Sequence, residues 1–247
     1  MIKEKASFDQ ALKVAQEKGY AEKDPTADIE GLDACRKTCI LSSIAFGTHF
    51  YPDEVYTEGI TKITLEDVAY AEDAGAKIKL LGRAQKNTDG TVSAMVSPCL
   101  VSTDELISGV DGVFNAITVK GDSVGQVLLY GPGAGKEATA SAVIGDVLEC
   151  VRLKKNEDHY HWNPHEDGVI APQGDNVTSM YVRGFAKDTA AVKDCIRETF
   201  DGVKFLFREN APENEIAFIT GKDAEKNIFE AVDNIRDFAK AQTIRVY

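Results

Sequence analysis

The residue types best suited to chemistry lie between Ala15 and Lys37, in the run AQEKGYAEKDPTADIEGLDACRK. Glu22, Asp24, Asp28, Glu30 and Asp33 crowd around Pro25, and Lys37 follows Asp33 by four residues. In a helix, residues i and i+4 share a face, about 6 Å apart along the axis. A lysine ammonium held among fixed carboxylates is positioned for proton transfer. Taken alone, an Asp/Lys pair at this spacing is more simply an ion pair on a solvated helix, worth about 0.3–0.5 kcal/mol.

The elements that must position these residues can be read from periodicity. Residues 8–18 place Phe8, Ala11, Leu12 and Ala15 at helical spacing, which predicts a short amphipathic helix. A second helix is expected to open at Asp28 or Glu30 and to run to Gly47 as its C-cap. Leu32, Ile40, Leu41, Ile44 and Phe46 form its apolar set, and Asp28 also reads as an N-cap. A third helix follows Thr64, over 65–74, with Gly75 as its stop. Strands are expected at 77–85, 92–101, 112–120 and 125–130, bounded by turns at Asp89-Gly90 and Gly121-Asp122. An apolar helix over 138–153 closes this block. Strands and helices without strict βαβ alternation predict an α+β fold, a mixed sheet covered by helices.

Residues 154–176 contain Pro164, Pro172 and no apolar period, so they read as a linker. The remainder is expected as strand 178–185, helix 188–200, strand 203–208, strand 215–220, helix 224–239 and strand 243–247. That is the βαββαβ order of the ferredoxin-like unit. The chain is thus divided into 1–153, a linker over 154–176 and a second domain over 177–247.

Composition points to a soluble cytoplasmic protein with a sizeable core: of 247 residues, 43% are apolar and 28% charged. A net charge of −12 repels nucleic acid and anionic membranes. No run of eighteen apolar residues is present, and the opening MIKEKASFD lacks the apolar centre of a signal peptide. Five cysteines without a C-x-x-C pair fit reduced thiols, with Cys35 and Cys39 as small core residues.

The arrangement Ala15, Gly19-Tyr20-Ala21, Asp24-Pro25, Asp28-Ile29, Gly31, Asp33 and Lys37 resembles the signature segment of homoserine dehydrogenases. Ile78-Lys79-Leu80-Leu81-Gly82 resembles the family's central substrate-domain strand, and Gly112, Asn115-Ala116 and Gly121-Asp122 resemble its long hairpin. Tyr130-Gly131-Pro132-Gly133-Ala134-Gly135, with Thr139-Ala140-Ser141-Ala142 and Gly145-Asp146, resembles its glycine turn and closing helix. The resemblance covers roughly residues 7–150 and, more loosely, the rest.

This resemblance implies reversible reduction of L-aspartate 4-semialdehyde to L-homoserine with NADPH or NADH, in threonine and methionine biosynthesis. It makes Lys37 the proton-transfer lysine, with Asp33 placed to orient either Lys37 or the substrate ammonium. Glu22 becomes the carboxylate that grips the substrate, an anion suited to the substrate ammonium. Asp28, Tyr20 and Gly19 become further substrate contacts; simple packing is the plainer account of Tyr20. Gly131, Gly133 and Gly135 are expected to approach the nicotinamide end of the cofactor, or to form a tight structural turn. A homodimer follows by the same analogy. The second domain resembles the ACT regulatory domain, which commonly binds an amino-acid effector near an Asp-x-x-Gly-Val turn. Here that stretch is Asp188-Thr189-Ala190-Ala191-Val192, and the Cβ of Ala191 would crowd a ligand.

A dinucleotide site ordinarily uses G-x-G-x-x-G between a strand and a helix, and the sequence contains none. Lys136 stands where Gly131-Pro132-Gly133-Ala134-Gly135 would need its third glycine, and Tyr130 and Glu137 spoil a Walker A reading. In the family the nucleotide domain precedes the substrate domain. The expectation is a fragment or truncated reading frame, inactive alone, with no cofactor bound tightly. The alternatives are a non-catalytic amino-acid-sensing module and a subunit completed in trans by a nucleotide-binding chain.

Two other groups carry chemistry-bearing side chains. His159-Tyr160-His161-Trp162-Asn163-Pro164-His165 concentrates imidazoles, but no cysteine or spaced carboxylate completes a zinc set, so a surface loop or interface is expected. Lys77 and Lys79 alternate on one strand and point to one face, an exposed one, with Lys79 the one candidate to line the site.

Overall fold

The computed structural model describes residues 6–17, 19, 21–133, 135–153 and 161–247. Phe8–Glu17 forms α1, Thr26–Ile29 the single turn α2, and Leu32–Phe46 the helix α3. The single helix expected from Asp28 or Glu30 to Gly47 is therefore broken at Gly31. Its φ is +77°, and a Cβ there would sit 3.3 Å from Val96 Cγ1 and 3.4 Å from the Glu58 carbonyl oxygen. Only glycine meets both demands, so the chain turns between two helices. Asp28 lies inside α2 and does not cap α3, which corrects the N-cap reading. Gly47 does end α3, with φ +76° and its N–H donated to the Ser43 carbonyl.

β1 (Tyr56–Thr57) and α4 (Leu65–Asp73) follow, and α4 starts on a capping box between Thr64 and Asp67. β2 (Ala76–Lys86) and β3 (Val92–Ser102) pair antiparallel along their whole length across the Asp89-Gly90 turn. Strand alternation gives this pair two faces. On one, Leu80, Ala84, Ala94 and Val96 pack with Cys35, Cys39 and Phe50. On the other, Met95, Cys99 and Val101 pack with Leu81 and Ile107. β4 (Phe114–Gly121) and β5 (Gly125–Pro132) form a separate two-stranded hairpin, and α5 (Lys136–Arg152) closes the block.

The C-terminal block contains β6 (Val177–Thr178), β7 (Met180–Ala186), α6 (Thr189–Thr199), β8 (Lys204–Leu206) and β9 (Glu215–Ile219). β10 (Asp223–Ala224), α7 (Glu225–Asp233) and β11 (Phe238–Val246) complete it. Leaving aside the short β6 and β10, the order is βαββαβ, with neighbours β11-β7-β9-β8 all antiparallel. Met180, Val182, Ile216 and Phe218 face Val192 and Ile196 of α6 and Ile228 and Val232 of α7. The helix expected over 224–239 stops at Asp233. Asn234 closes it, Asp237 turns with φ +57°, and the last strand begins at Phe238 rather than at residue 243. Asn and Asp tolerate such a left-handed turn better than most side chains.

The two blocks share one sheet. The end of β11 pairs parallel with β3, Arg245 opposite Cys99 and Val246 opposite Leu100, so seven strands run through both. The described part of the expected linker is not a free spacer either. Asn163 bridges to Thr48 and Ile170 to Val92, and Val169 and Ile170 join the α3 core. Apolar side chains in this stretch lack periodicity, yet they cover the edge of a sheet that would otherwise be wet.

Helix α4 ties the blocks together through buried polar groups. Arg183 Nε donates to Asp67 Oδ1 at 2.7 Å and Tyr181 Oη donates to the same oxygen at 3.0 Å. Tyr70 Oη and Arg208 Nε donate to Glu215 Oε1 at 2.8 and 2.9 Å. Burial, reinforced by the Glu215 carboxylate, pushes the Tyr70 phenol up to about 12. Among the described residues, no helix is long and apolar enough to cross a membrane.

Candidate active site

Lys37 Nζ lies 2.6 Å from Asp33 Oδ2, and their side chains are 61% and 44% exposed. The pair spans the first two turns of α3, on the side away from the buried Cys35 and Cys39. Two glycines set the height of this helix. Gly82 on β2 leaves room for Thr38, whose Oγ1 would be 2.0 Å from a Cβ there. Gly59 lies against the end of α2, just before α3: a Cβ there would be 2.3 Å from the Ile29 carbonyl oxygen and 2.5 Å from Glu30 Cα. Ile60 N–H donates to that Ile29 carbonyl at 2.8 Å. Gly59→Ala is expected to push Glu30 and Gly31 outward at a cost of about 1–3 kcal/mol. Urea denaturation checks this, and an unchanged midpoint would contradict it.

The loop ahead of α2 is tied to α1. Gln16 Nε2 donates to the Glu22 carbonyl at 3.0 Å, Ala21 N–H to Ala15, and Gly19 N–H to Gln16, with Gly19 at φ +71°. Asp24 performs the local turn: its Oδ1 accepts from Thr26 N–H at 3.2 Å and Thr26 Oγ1 at 2.6 Å. The Thr26 hydroxyl, then its amide, hold the Asp24 carboxyl below the ordinary carboxylate range. Asp-Pro-Thr signals such a turn in the sequence. Glu22 and Asp28 are exposed on this same run. Among the described residues no side-chain hydrogen bond joins either to Asp33 or Lys37, so both carboxylates face solvent. Tyr20 lies outside the described residues.

The glycine turn belongs to the hairpin and α5. Gly133 is required by packing, since a Cβ there would fall 1.7 Å from Asn115 Nδ2, and its N–H donates to Val113 at 2.9 Å. Gly135 precedes α5 with φ +112°, a backbone for which glycine is suited. Nothing stands within 4 Å of a Cβ built at Gly131 or Gly135, which leaves their backbone open to approach. Ala134 lies outside the described residues.

Lys79 does not line the Lys37 site. It shares the face of Leu81 and Cys99, opposite the face that α3 covers. Only 18% of its side chain is exposed, and Nζ donates to the Val110 carbonyl at 2.5 Å and Asp111 Oδ1 at 2.8 Å. Strand alternation alone could not say which face α3 takes. Burial, then the neighbouring Cys35, pushes the Cys39 thiol up to about 12, which leaves it unreactive. His165 is more than a loop residue: its Nδ1 is 3.2 Å from the His49 carbonyl and its Nε2 3.1 Å from Glu54 Oε1. His159 and Tyr160 lie outside the described residues. Among those described, no group of three His, Cys, Asp or Glu is placed to hold a metal ion.

The homoserine dehydrogenase family model matches residues 1–148. The homoserine dehydrogenase of Pseudomonas aeruginosa is 38% identical over 241 residues, covering 92% of this chain and 55% of its own length. That of Helicobacter pylori is 48% identical over 156 residues, 63% of this chain and 37% of its own. Among solved structures, a homoserine dehydrogenase from Thiobacillus denitrificans superposes with a TM-score of 0.82 at 38% identity, over 98% of this chain and 59% of its own. The Staphylococcus aureus homoserine dehydrogenase at pH 6.5 gives 0.79 at 28% identity, over 100% and 60%. Where the match runs over nearly the whole chain, it spans little more than half of the relative's length. With the whole α+β architecture and the Lys37 segment both matched, the chain belongs to the homoserine dehydrogenase family of oxidoreductases.

Proposed function

We propose that this chain supplies the substrate-holding and proton-transfer part of a homoserine dehydrogenase, reducing L-aspartate 4-semialdehyde to L-homoserine. The observation that carries the reading is the exposed Lys37–Asp33 pair, held in the family's signature segment. When bound, NADPH or NADH supplies a hydride to the aldehyde carbon. Lys37 Nζ then stabilises the developing alkoxide and gives it a proton, becoming neutral. Its exposure lets solvent return that proton. Asp33 holds Nζ in place, and the solvent-facing Glu22 and Asp28 are free to take the substrate ammonium. Of the three glycines, Gly131 and Gly135 leave open backbone for the nicotinamide end; Gly133 answers to Asn115 instead.

α5 supports the further reading that a nucleotide-binding domain, in cis or in trans, completes the enzyme. Val143, Ile144, Val147, Leu148 and Val151 are all exposed on it. The purified chain is therefore expected to show no semialdehyde-dependent NADPH oxidation, while calorimetry with L-homoserine gives a binding heat that Glu22→Ala removes. Turnover by the chain alone, abolished by Lys37→Ala, would overturn the dependence on a second domain.

The strand order of residues 177–247 supports an ACT-type domain as its second part. A hollow of about 430 Å³ lies beside the start of α6, lined by Phe185, Lys187, Asn214, Asp237 and Phe238. The Asp188 carboxylate is already occupied, accepting from Ala190 and Ala191 N–H, and Ala191 carries the Cβ that would meet an effector. Threonine and methionine in the same calorimeter test the sensing alternative: binding that Asp188→Ala removes, without homoserine binding, would favour it. A homodimer and a cytoplasmic location complete the proposal.

A further inference from the structure

One buried guanidinium joins the C-terminal strand to the segment that supports the candidate site. Arg245 on β11 is 3% exposed. Its Nε donates to Glu225 Oε2 at 3.2 Å, its Nη2 to Glu225 Oε1, and its Nη1 to Glu58 Oε2 at 2.9 Å. The guanidinium carbon lies 4.5 Å from the centre of the Tyr56 ring, and Tyr56 Oη donates to the same Glu58 oxygen at 3.2 Å. Gln173 Nε2 donates to Glu225 Oε2 at 2.6 Å, so the second carboxylate is held from the far side as well. A planar fork is the one cationic side chain that engages two carboxylates in this way. Burial alone would lower its pKa, but the Glu225 carboxylate more than offsets that, and the cation is retained.

Glu58 is also where the site is propped. Its N–H donates to the Val96 carbonyl at 2.8 Å, and its own carbonyl oxygen lies 3.4 Å from where a Gly31 Cβ would be. Gly59 follows, in backbone contact with Ile29 and Glu30, and then Ile60 donates to Ile29. Gly31 in turn accepts the Cys35 N–H at 2.8 Å, the first hydrogen bond of the helix that carries Asp33 and Lys37.

We propose that Arg245 is a positioning residue for the Lys37–Asp33 pair: by holding Glu58 it sets the Glu58 carbonyl against Gly31 and Gly59 against Ile29 and Glu30, and so fixes the start of α3. The proposal rests on the reading of Lys37 as the proton-transfer group, but it makes a structural claim that can fail separately. It places part of the active-site scaffold in the last strand of the chain, more than 180 residues from Glu58 in sequence.

The test uses residues 1–247 with Arg245→Lys and Glu58→Gln. Lysine keeps a cation beside Glu225, avoiding a buried orphan carboxylate, yet lacks the fork that reaches Glu58. Glutamine keeps the shape of Glu58 and removes its charge. Amide hydrogen exchange by NMR is expected to quicken about tenfold or more at Ile60 and Cys35 in both variants, while Val192 on α6 and Phe200 at its C-cap stay within about twofold. The Lys37 Cε resonance, assigned with Lys37→Arg, is expected to move in both variants. L-Homoserine affinity should fall by a similar factor in each, with no further loss in the double variant. Equal acceleration at Val192 and Phe200 would mean a role in global stability only and would overturn the proposal, as would unchanged exchange at Ile60 and Cys35. Should Arg245→Lys fail to fold, Glu58→Gln decides alone. If the unmodified chain binds no homoserine, the functional reading fails, while the exchange rates still judge the positioning role.

Discussion

Lys37→Ala, in a chimera that joins residues 1–247 to the part of the Pseudomonas aeruginosa relative that this chain does not span, is expected to lower kcat by about 10²–10⁴-fold, the usual worth of a positioned acid. The fold should survive, because the Lys37 side chain is 61% exposed and, among the described residues, its one ion pair is with a half-exposed Asp33. Exposed pairs of this kind contribute at most about 1 kcal/mol, so loss of turnover cannot be charged to unfolding. Lys37→Arg sharpens the expectation. It keeps the cation and most of the contact with Asp33, but a guanidinium does not release its proton at neutral pH. Its KM should stay close to that of the unmodified chimera while kcat remains low. Steady-state NADPH oxidation checks both variants against the unmodified chimera. A kcat within about threefold for Lys37→Ala would remove this lysine from the chemistry.

The largest expected effect on stability comes from Arg183→Ala, at about 3–5 kcal/mol. Asp67 is fully buried and serves three partners at once. It caps α4 through Thr64 N–H at 3.0 Å, accepts from Tyr181 Oη, and pairs with Arg183 Nε at 2.7 Å. Removing the guanidinium leaves a carboxylate in the core with hydrogen bonds but no countercharge. It also leaves Glu215 with Arg208 as its one cationic partner among the described residues, since Arg183 Nη1 lies 3.8 Å from Glu215 Oε2. The loss is a large share of the 5–15 kcal/mol that holds a typical domain. Urea denaturation with an unchanged slope should report it as a shift of midpoint. In the double variant Arg183→Met with Asp67→Asn, no charge is stranded, and much of the loss should return. A deficit below about 1 kcal/mol in Arg183→Ala would show that the pair is not the lock between α4 and the C-terminal block.

Local structure was legible wherever a side chain answers to its immediate neighbours. Thr64 begins α4, Asp89-Gly90 turns β2 into β3, Gly121-Asp122 lies in the hairpin turn, and Asp188 begins α6. Each device acts within four residues, so spacing suffices to find it. The Asp33–Lys37 ion pair within the candidate site was legible for the same reason: the two residues are one helical turn apart, and the structure joins them. Failures came where a distant surface decides. Gly31 looks like any helix-start glycine until Val96 and Glu58 are seen to crowd it. Residues 234–239 carry a helical apolar pattern, with Ile235 and Phe238 both packed into the core, but Asn234 and Asp237 turn the chain into β11. Lys79 alternates correctly, yet periodicity of two cannot name the face that α3 will choose.

The sequence by itself determined the family, the α+β class, most element boundaries and the pairing of Lys37 with Asp33. These depend on residue types and on separations of a few positions, where geometry is nearly invariant. Only the tertiary structure decided that the two blocks share a single sheet, that the stretch after residue 160 packs back onto α3's core, and that Glu58 answers to Arg245. Such contacts join residues far apart in the chain. They are selected by which burial leaves fewest polar groups unpaired, and that is a property of the whole fold.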